Sequence, residues 1–286
     1  MDKRALVLGG GGATGAAWEL GLIAGLAAEG LDLLAADLIV GTSAGAVTGA
    51  QLLSGADLQS LYQRQLEPPA GEIAARLGAG LIARQAWIMI TSSGPKQLRM
   101  RMGHLALRSR TVSEAERRKV IESRLPSRDW PAVQFQVTAV DANTGEFVVF
   151  DAATEASLVD AVGASCAVPG AWPAVTIAGR RYIDGGMRSP ANADLAAGYD
   201  RVVIIAPVGR RGGVLPGADK QADDLRAAGA KVMVVSPDEA ARQAIGHNLL
   251  DLRRRAAAAR AGRAQAAAVA ADVRDAWHES EPSASG

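Results

Sequence analysis

Three short glycine-containing runs carry the residue types that acyl-transfer chemistry needs. In chain order they are Gly10-Gly11-Gly12-Ala13-Thr14-Gly15, Gly41-Thr42-Ser43-Ala44-Gly45 and Asp184-Gly185-Gly186. A serine hydroxyl is a weak nucleophile until a base accepts its proton, and a tight turn is needed to expose it. Backbone N–H groups must also stabilise the charge that develops on the substrate carbonyl oxygen. Together the three runs predict a serine hydrolase with a Ser–Asp dyad.

The second run has the pattern of a nucleophile elbow centred on Ser43. The turn from strand to helix is so sharp that the flanking positions must be small, as Gly41, Ala44 and Gly45 are. The apolar residues 38–40 supply the strand. The residues after the turn supply a helix, whose N-terminus adds backbone N–H groups and a positive dipole. These features predict that Ser43 is the nucleophile.

The base is predicted to be an aspartate, because no histidine is suitably placed. His104 lies in a basic helical stretch, His247 in a predicted C-terminal helix and His278 at the end of that helix. A triad histidine belongs instead in a loop that follows a strand. Asp184 follows the strand candidate 181–183, and the two glycines after it let the backbone approach closely. The ordinary pKa of an aspartate, about 4, is poorly matched to neutral pH, so burial would have to raise it for effective catalysis.

The first run can supply the oxyanion hole. Gly10, Gly11 and Gly12 stand at the start of a predicted helix and present N–H groups with no side chain in the way. The same Gly-x-Gly-x-x-Gly spacing fits a dinucleotide-binding turn. However, the acidic residue expected about 20 positions further on is missing after the second strand. An NAD(P)-binding enzyme therefore remains an alternative, and we expect no cofactor.

The elements around these runs alternate as in a parallel α/β sheet. The strand candidate 5–8 precedes the helix candidate 16–29, and the strand candidate 37–40 precedes the helix candidate 44–53. This alternation predicts an α/β fold with a mainly parallel sheet between helices. We interpret residues 1–286 as a single domain.

Two stretches depart from the alternation. Residues 57–125 lack strand patterns and predict a helical insertion over the sheet, and residues 237–277 predict a long C-terminal helix. Within the insertion, residues 87–110 mix apolar and basic side chains. We interpret them as an amphipathic helix pair that covers the sheet, with a lid that meets anionic headgroups as the alternative.

Composition limits the classes of function. Of 286 residues, 49% are hydrophobic and the net charge is +1, which predicts a large core and argues against nucleic-acid binding. The single cysteine, Cys166, excludes an internal disulfide and fits a reducing compartment. Three histidines and one cysteine argue against a structural zinc site. Without a visible targeting or membrane-spanning segment, we expect a cytoplasmic protein.

The three runs, in this order, resemble the patatin-like phospholipase family. The runs 164–169 and 172–175 also resemble the family's sequence before its aspartate, and the resemblance covers about residues 5–206. It implies a parallel sheet between helices and hydrolysis of acyl esters of lipids without a metal. By resemblance, Ser43 is the nucleophile, Asp184 is the base, and the oxyanion hole is formed by Gly10, Gly11 and Gly12. The supporting glycines are Gly15, Gly41, Gly45, Gly185 and Gly186.

One residue departs from the family pattern. Thr14 stands where the family has an arginine, so the backbone N–H groups remain but a positive charge is lost. From this change we expect a neutral ester or lysolipid substrate in preference to an anionic phospholipid. A catalytically silent lipid-binding protein and an acyltransferase remain alternatives. The expected partners are a lipid or acyl-ester substrate, a membrane surface in transient contact, and a second copy of the chain packed on the C-terminal helix.

Overall fold

The apolar strand candidates come together in one mixed sheet. The computed structural model describes residues 2–68, 73, 78–208 and 215–278. The strands of this eight-stranded sheet are β1 (Arg4–Leu8), β2 (Leu38–Gly41), β3 (Gln134–Asp141), β4 (Phe147–Phe150), β5 (Val175–Ile177), β6 (Arg180–Asp184), β7 (Arg201–Ile205) and β8 (Lys231–Val235). Their order is β5-β6-β3-β2-β1-β7-β8, with β4 paired to β3. Pairing is parallel along the row β3-β2-β1-β7-β8 and antiparallel where β4, β5 and β6 join the sheet. This arrangement confirms the predicted mainly parallel α/β sheet.

Helices flank the sheet. They are α1 (Gly12–Ala28), α2 (Ala44–Leu52), α3 (Leu58–Leu66), α4 (Ala79–Thr91), α5 (Pro95–Arg108), α6 (Glu114–Arg124), α7 (Leu158–Ser165), α8 (Ala218–Ala227), α9 (Glu239–Ile245) and α10 (Arg255–Trp277). In its described part, the stretch 57–125 contains α3 to α6 and no strand, whereas residues 69–72 and 74–77 lie outside the described residues. Within the described ranges, no helix combines the length and the hydropathy of a bilayer-spanning segment.

Both faces of the central strands are buried, which explains why the strands read as continuous apolar runs. Successive side chains of a strand point to opposite faces. In β1, Leu6 and Leu8 join the larger core cluster, which includes residues of α1, α2, α7 and α10. Ala5 and Val7 join a second cluster, which includes residues of α8. A strand covered on both faces has no reason to alternate apolar with polar residues.

The predicted C-terminal helix over residues 237–277 is corrected to two helices. Helix α9 ends at Ile245, and α10 begins only at Arg255. Gly246 interrupts the helix because its backbone has φ +73°, a left-handed conformation that glycine adopts without strain. The connection 246–254 then passes the start of α1, where the Leu249 carbonyl accepts a hydrogen bond from the Thr14 amide at 3.1 Å.

Helices α1 and α10 pack in backbone contact. A methyl group added at Gly21 would overlap the Ala259 carbonyl oxygen, and one added at Gly262 would overlap the carbonyl oxygen of Trp18. The Trp18 indole N–H donates to Gln265 Oε1 at 3.1 Å, so the two helices are also joined by a buried hydrogen bond. This packing fixes the axis of α1, whose first turn belongs to the Gly10–Gly15 run.

We predict that Gly262→Ala lowers the free energy of unfolding by about 1–3 kcal/mol, because the new methyl group forces the two helix backbones apart. Urea unfolding followed by circular dichroism measures this change. Gly163→Ala is the matched control, because its methyl group would meet only Val175 Cγ2 at 3.6 Å, an ordinary contact. Equal stability of the two variants would contradict the proposed backbone contact.

Candidate active site

The structure brings Ser43 and Asp184 into direct contact. Ser43 follows β2 and precedes α2, whereas Asp184 is the last residue of β6. The Ser43 hydroxyl donates to Asp184 Oδ2 at 2.7 Å, and the two residues are only 7% and 3% exposed. This separation is within the range over which a side chain can accept a proton directly. The geometry therefore permits proton transfer from the serine to the aspartate.

The backbone of Ser43 is strained and is held from both sides. Its φ of 53° lies in the left-handed region that residues with a side chain rarely adopt. The Ser43 amide donates to Ser165 Oγ at 2.8 Å, and the Cys166 thiol donates to the Ser43 carbonyl oxygen at 3.2 Å. A side chain at Gly45 would overlap the Leu8 carbonyl oxygen. Such strain is typical of a nucleophile elbow, in which it keeps the hydroxyl exposed to substrate.

Asp184 uses its two carboxylate oxygens for different purposes. Oδ1 accepts the Gly186 amide at 2.7 Å, whereas Oδ2 accepts the Ser43 hydroxyl. The Asp184 amide is fixed in turn by the Ala167 carbonyl oxygen at 3.1 Å. A methyl group at Gly185 would overlap Thr138 Oγ1, so this position has no room for a larger residue. The Asp-Gly-Gly run thus orients one oxygen with the backbone and directs the other to the serine.

A buried polar network that the sequence analysis missed supports both residues. Asn192 Nδ2 donates to Thr42 Oγ1 at 3.0 Å and to the Ser189 carbonyl oxygen at 2.9 Å. The hydroxyls of Thr42 and Thr138 lie 2.9 Å apart. Asn192 is fully buried with φ 53°, a conformation that asparagine tolerates better than most residues. The network joins Thr42, the residue before Ser43, to β3 and to the turn after Asp184. A lone asparagine in the sequence gives no sign of it.

The glycine loop lies against Ser43, and its amides differ in their bonding. A methyl group at Gly10 would lie 3.5 Å from Ser43 Cβ. The Gly10 amide already donates to the Pro190 carbonyl oxygen at 2.7 Å. Among the described residues, the Gly11 and Gly12 amides have no hydrogen-bond acceptor, and neither has the Ala44 amide at the start of α2. Of the three predicted oxyanion donors, Gly11 and Gly12 therefore have N–H groups open to a ligand, and Ala44 is an additional candidate.

Ser43 and Asp184 line a cavity of about 450 Å³ with apolar walls. The apolar lining includes Val47, Ile82, Val168, Trp172, Leu249 and Leu252. Helices α1 and α2 both begin at this cavity, so the positive ends of two helix dipoles lie beside the serine. The combination suits an apolar acyl chain whose carbonyl oxygen becomes negatively charged during the reaction.

Three arginines reach the same cavity from distant parts of the chain. Arg117 and Arg124 come from α6, and Arg255 is the first residue of α10. The Arg117 guanidinium stacks on the Trp172 ring, with its central carbon 3.7 Å from the ring centroid. These side chains bring to the cavity a positive charge that the glycine loop does not provide. Sequence reasoning missed them because neither helix belongs to one of the three runs.

The three histidines make no hydrogen bond to Ser43 or Asp184 among the described residues. His247 lines the cavity, but it lies in the connection between α9 and α10 and not within a helix. Among the described residues, it makes no hydrogen bond to Ser43 or Asp184. His104 lies in α5, and His278 follows the end of α10.

Thr14, the residue that departs from the family pattern, is buried and serves a structural purpose. Its hydroxyl donates to the Leu249 carbonyl oxygen at 3.2 Å, beside the bond that its amide makes to the same atom. Gly12 has φ +61°, and a methyl group there would lie 2.5 Å from that oxygen. Thr14 therefore holds the connection 246–254 against the glycine loop. In this way it positions Leu249, which lines the cavity.

Cys166 is a protonated thiol in contact with Ser43. Burial, and secondly the negative charge of Asp184, raise the pKa of Cys166 to about 12. The thiol therefore keeps its proton near neutral pH and donates it to the Ser43 carbonyl oxygen. The sequence analysis anticipated a buried cysteine but not this contact.

A model of the patatin-like phospholipase family matches residues 6–197. A search of curated proteins found no match. Among solved structures, VipD from Legionella pneumophila is 13% identical, with a TM-score of 0.46 over 95% of this chain and 67% of VipD. The type III effector ExoU is 17% identical, with a TM-score of 0.42 over 96% of this chain and 54% of ExoU. A complex of SpcU and ExoU from Pseudomonas aeruginosa matches at 18% identity, with a TM-score of 0.36 over 92% of this chain and 52% of the matched chain. The chain therefore spans about half the length of ExoU.

A buried glutamate joins the two helices that begin at the site. Glu19 of α1 is fully buried, and its Oε2 accepts the hydroxyl of Thr48 of α2 at 2.8 Å. Among the described residues, Glu19 Oε1 has no hydrogen-bond partner. Burial raises the pKa of Glu19 well above its ordinary value of 4.5. The folded protein therefore favours the protonated, neutral glutamic acid at this position.

We predict that Glu19→Gln makes stability less sensitive to pH. In the wild type, stabilisation by Glu19 is complete below pH 4.5 and is lost as the pH rises toward its folded-state pKa, because only the unfolded chain ionises freely. Within this window, the loss should be about 1.4 kcal/mol per pH unit. Urea unfolding at a series of pH values above 4.5 should show a steeper loss of stability in the wild type than in Glu19→Gln.

The control is Glu29→Gln, which changes an exposed glutamate at the end of the same helix and should keep the wild-type slope. Parallel pH dependences in wild type and Glu19→Gln would contradict the prediction.

Proposed function

The chain belongs to the patatin-like phospholipase family, and on this basis we propose that it is a lipid acyl hydrolase with a catalytic Ser43–Asp184 dyad. The observation that carries the proposal is the 2.7 Å hydrogen bond between Ser43 and Asp184, formed in a buried site on a strained turn. The apolar cavity beside it has the chemistry of an acyl-chain site.

The proposed reaction proceeds through an acyl-enzyme. Asp184 Oδ2 accepts the hydroxyl proton while Ser43 Oγ attacks the ester carbonyl carbon. The Gly11, Gly12 and Ala44 amides donate to the carbonyl oxygen as it becomes negatively charged, and the dipoles of α1 and α2 add to this stabilisation. Asp184 returns the proton to the departing alcohol oxygen. A water molecule then loses a proton to Asp184 and attacks the acyl carbon. The bond from that carbon to Ser43 Oγ breaks, Asp184 returns the proton to Ser43 Oγ, and the fatty acid is released.

In this scheme, Gly10 shapes the loop and does not donate to the oxyanion. Its amide is already bonded to Pro190, and its lack of a side chain lets the loop approach Ser43. The remaining glycines of the three runs, Gly15, Gly41, Gly45, Gly185 and Gly186, serve the same purpose of close backbone approach.

The alternatives are less well supported. A dinucleotide site expects an acidic residue after the second strand, but this chain has the run Gly41–Gly45 there. A catalytically silent protein has no need of a strained serine bonded to a buried aspartate. An acyltransferase would use the same residues and would differ only in the acceptor that replaces water.

The substrate class that we propose is an anionic lipid ester. The three cavity arginines favour a substrate with a phosphate or carboxylate group, in contrast to the neutral substrate expected from Thr14 alone. A guanidinium has five N–H donors, so it can hold a protein group and a substrate oxygen at the same time.

We predict that Ser43→Ala and Asp184→Asn each reduce ester hydrolysis by about a thousandfold or more, because each removes a group that acts in the chemical step. Release of fatty acid from phosphatidylglycerol measures the loss, and intact mass after treatment with a fluorophosphonate tests for an activated serine. One adduct is expected on the wild type and none on Ser43→Ala. Ser123→Ala, on the exposed end of α6, is the control and should keep full activity. An adduct on well-folded Ser43→Ala would exclude Ser43 as the nucleophile.

We predict that Arg124→Gln raises KM about tenfold or more for an anionic lysophospholipid and leaves KM for a neutral p-nitrophenyl ester unchanged. The reason is the loss of a charge-assisted hydrogen bond to the anionic group, worth about 1.5–3 kcal/mol. Steady-state kinetics on both substrates measure the ratio. An equal rise in both KM values would show that Arg124 shapes the cavity without recognising charge.

A further inference from the structure

Helix α4 exposes an apolar face. The exposed large apolar side chains in the described part of the chain all lie on this helix: Ile82 is 53% exposed, Trp87 64% and Ile90 80%. Residues four apart in a helix lie on the same side. Ile82, Ala86 and Ile90 form one such row, and Ala83 and Trp87 form the next. All five residues are exposed, so the outer side of α4 is a continuous apolar surface, which we call the α4 face.

The opposite side of α4 is anchored beside the nucleophile. Ile88 is buried in a cluster that includes Met102 and Leu105 of α5. Gln85 Nε2 donates to the Pro169 carbonyl oxygen at 2.8 Å, three residues after the cysteine that contacts Ser43. The α4 face is therefore held in a fixed position relative to the catalytic serine.

The α4 face reaches the mouth of the cavity. Ile82 belongs to the exposed face and also lines the cavity that contains Ser43, and Gln85 lines it as well. An acyl chain that leaves an apolar phase at the α4 face can thus enter the cavity along apolar side chains. Exposed apolar surface of this kind marks an interaction site for a partner or a membrane.

The segment that contains α4 is basic, and its charge favours one kind of partner. Residues 79–113 contain six basic side chains and no acidic one, whereas the whole chain has a net charge of only +1. The six are Arg84, Lys96, Arg99, Arg101, Arg108 and Arg110. Two copies that met through this segment would bring like charges together. An anionic lipid surface offers the complementary charge together with an apolar interior.

We propose that the α4 face docks the protein on anionic lipid bilayers, with Trp87 and Ile90 entering the boundary between headgroups and acyl chains. Docking places the cavity mouth against the bilayer. The purpose of docking rests on the proposed function, because the bilayer then supplies the lipid substrate. Binding to the bilayer does not itself require catalysis. For α4, this proposal favours the alternative interpretation of residues 87–110, in which they form a lid that meets headgroups.

The first test is sedimentation with vesicles, using Ser43→Ala as the parent so that the lipid stays intact. Vesicles of phosphatidylcholine with 30% phosphatidylglycerol should bind the parent, and vesicles of pure phosphatidylcholine should bind it about tenfold less. Trp87→Glu and Ile90→Glu in this parent should each reduce binding to the anionic vesicles about tenfold or more. Ala240→Glu, which adds the same charge at an exposed position of α9, is the control and should bind like the parent.

Trp87 also reports its own environment. Of five tryptophans, Trp18, Trp172 and Trp277 are buried, so the change in fluorescence on binding should come mainly from Trp87. Anionic vesicles should shift the emission to shorter wavelengths. Trp87→Phe should still bind but lose most of that shift.

The outcomes separate docking from catalysis. In the protein that retains Ser43, Ile90→Glu should leave turnover of a soluble short-chain ester unchanged and should reduce turnover of vesicle lipid about tenfold. If neither substrate is turned over but vesicle binding still depends on Ile90, the proposed function fails and the docking surface stands. If Trp87→Glu and Ile90→Glu bind like the parent, the docking proposal is overturned. It is also overturned if sedimentation equilibrium shows a dimer that Ile90→Glu dissociates, because the α4 face would then join two copies.

Discussion

The hydrogen bond from Ser43 to Asp184 depends on a strained backbone that only its surroundings can hold. A serine at φ 53° would relax if it were free, and three other elements prevent this. The end of α7 holds both its amide and its carbonyl group, β1 lies so close that position 45 must be glycine, and β6 presents the carboxylate. This geometry therefore requires glycine at the tightest contacts. Any side chain at these positions would push two backbone segments apart.

The region that completes the cavity lies outside the family match. The match ends at residue 197, yet the cavity wall includes Leu249, Leu252 and Arg255. Thr14 links the two parts, because it stands in the glycine loop and holds the Leu249 carbonyl oxygen with both its amide and its hydroxyl. Ser43 and Asp184 thus come from one part of the chain, and part of the cavity wall around them comes from another. The C-terminal region can therefore change the shape of the cavity without any change at Ser43 or Asp184.

Local patterns explain what the sequence could predict. The strands could be recognised as short apolar runs, and their alternation with helices predicted the mainly parallel sheet. The elbow could be recognised because its turn admits only small residues, and this predicted that the three glycine runs lie together. Features that depend on distant contacts were not predictable. The break at Gly246 was hidden by an alanine-rich sequence with high helix propensity, and the bond from Gly10 to Pro190 joins residues 180 positions apart. Arg117 and Arg255 line one cavity only because α6 and α10 both border it in the folded chain.

The backbone contact between α1 and α10 has a consequence for the order of events during synthesis. Helix α1 leaves the ribosome early, but the helix that covers its glycine side is made more than 200 residues later. Until α10 has been made, the glycine side of α1 lacks the helix that covers it. We therefore expect the glycine loop at the start of α1 to settle against Ser43 only after residues 255–277 have been synthesised and have packed.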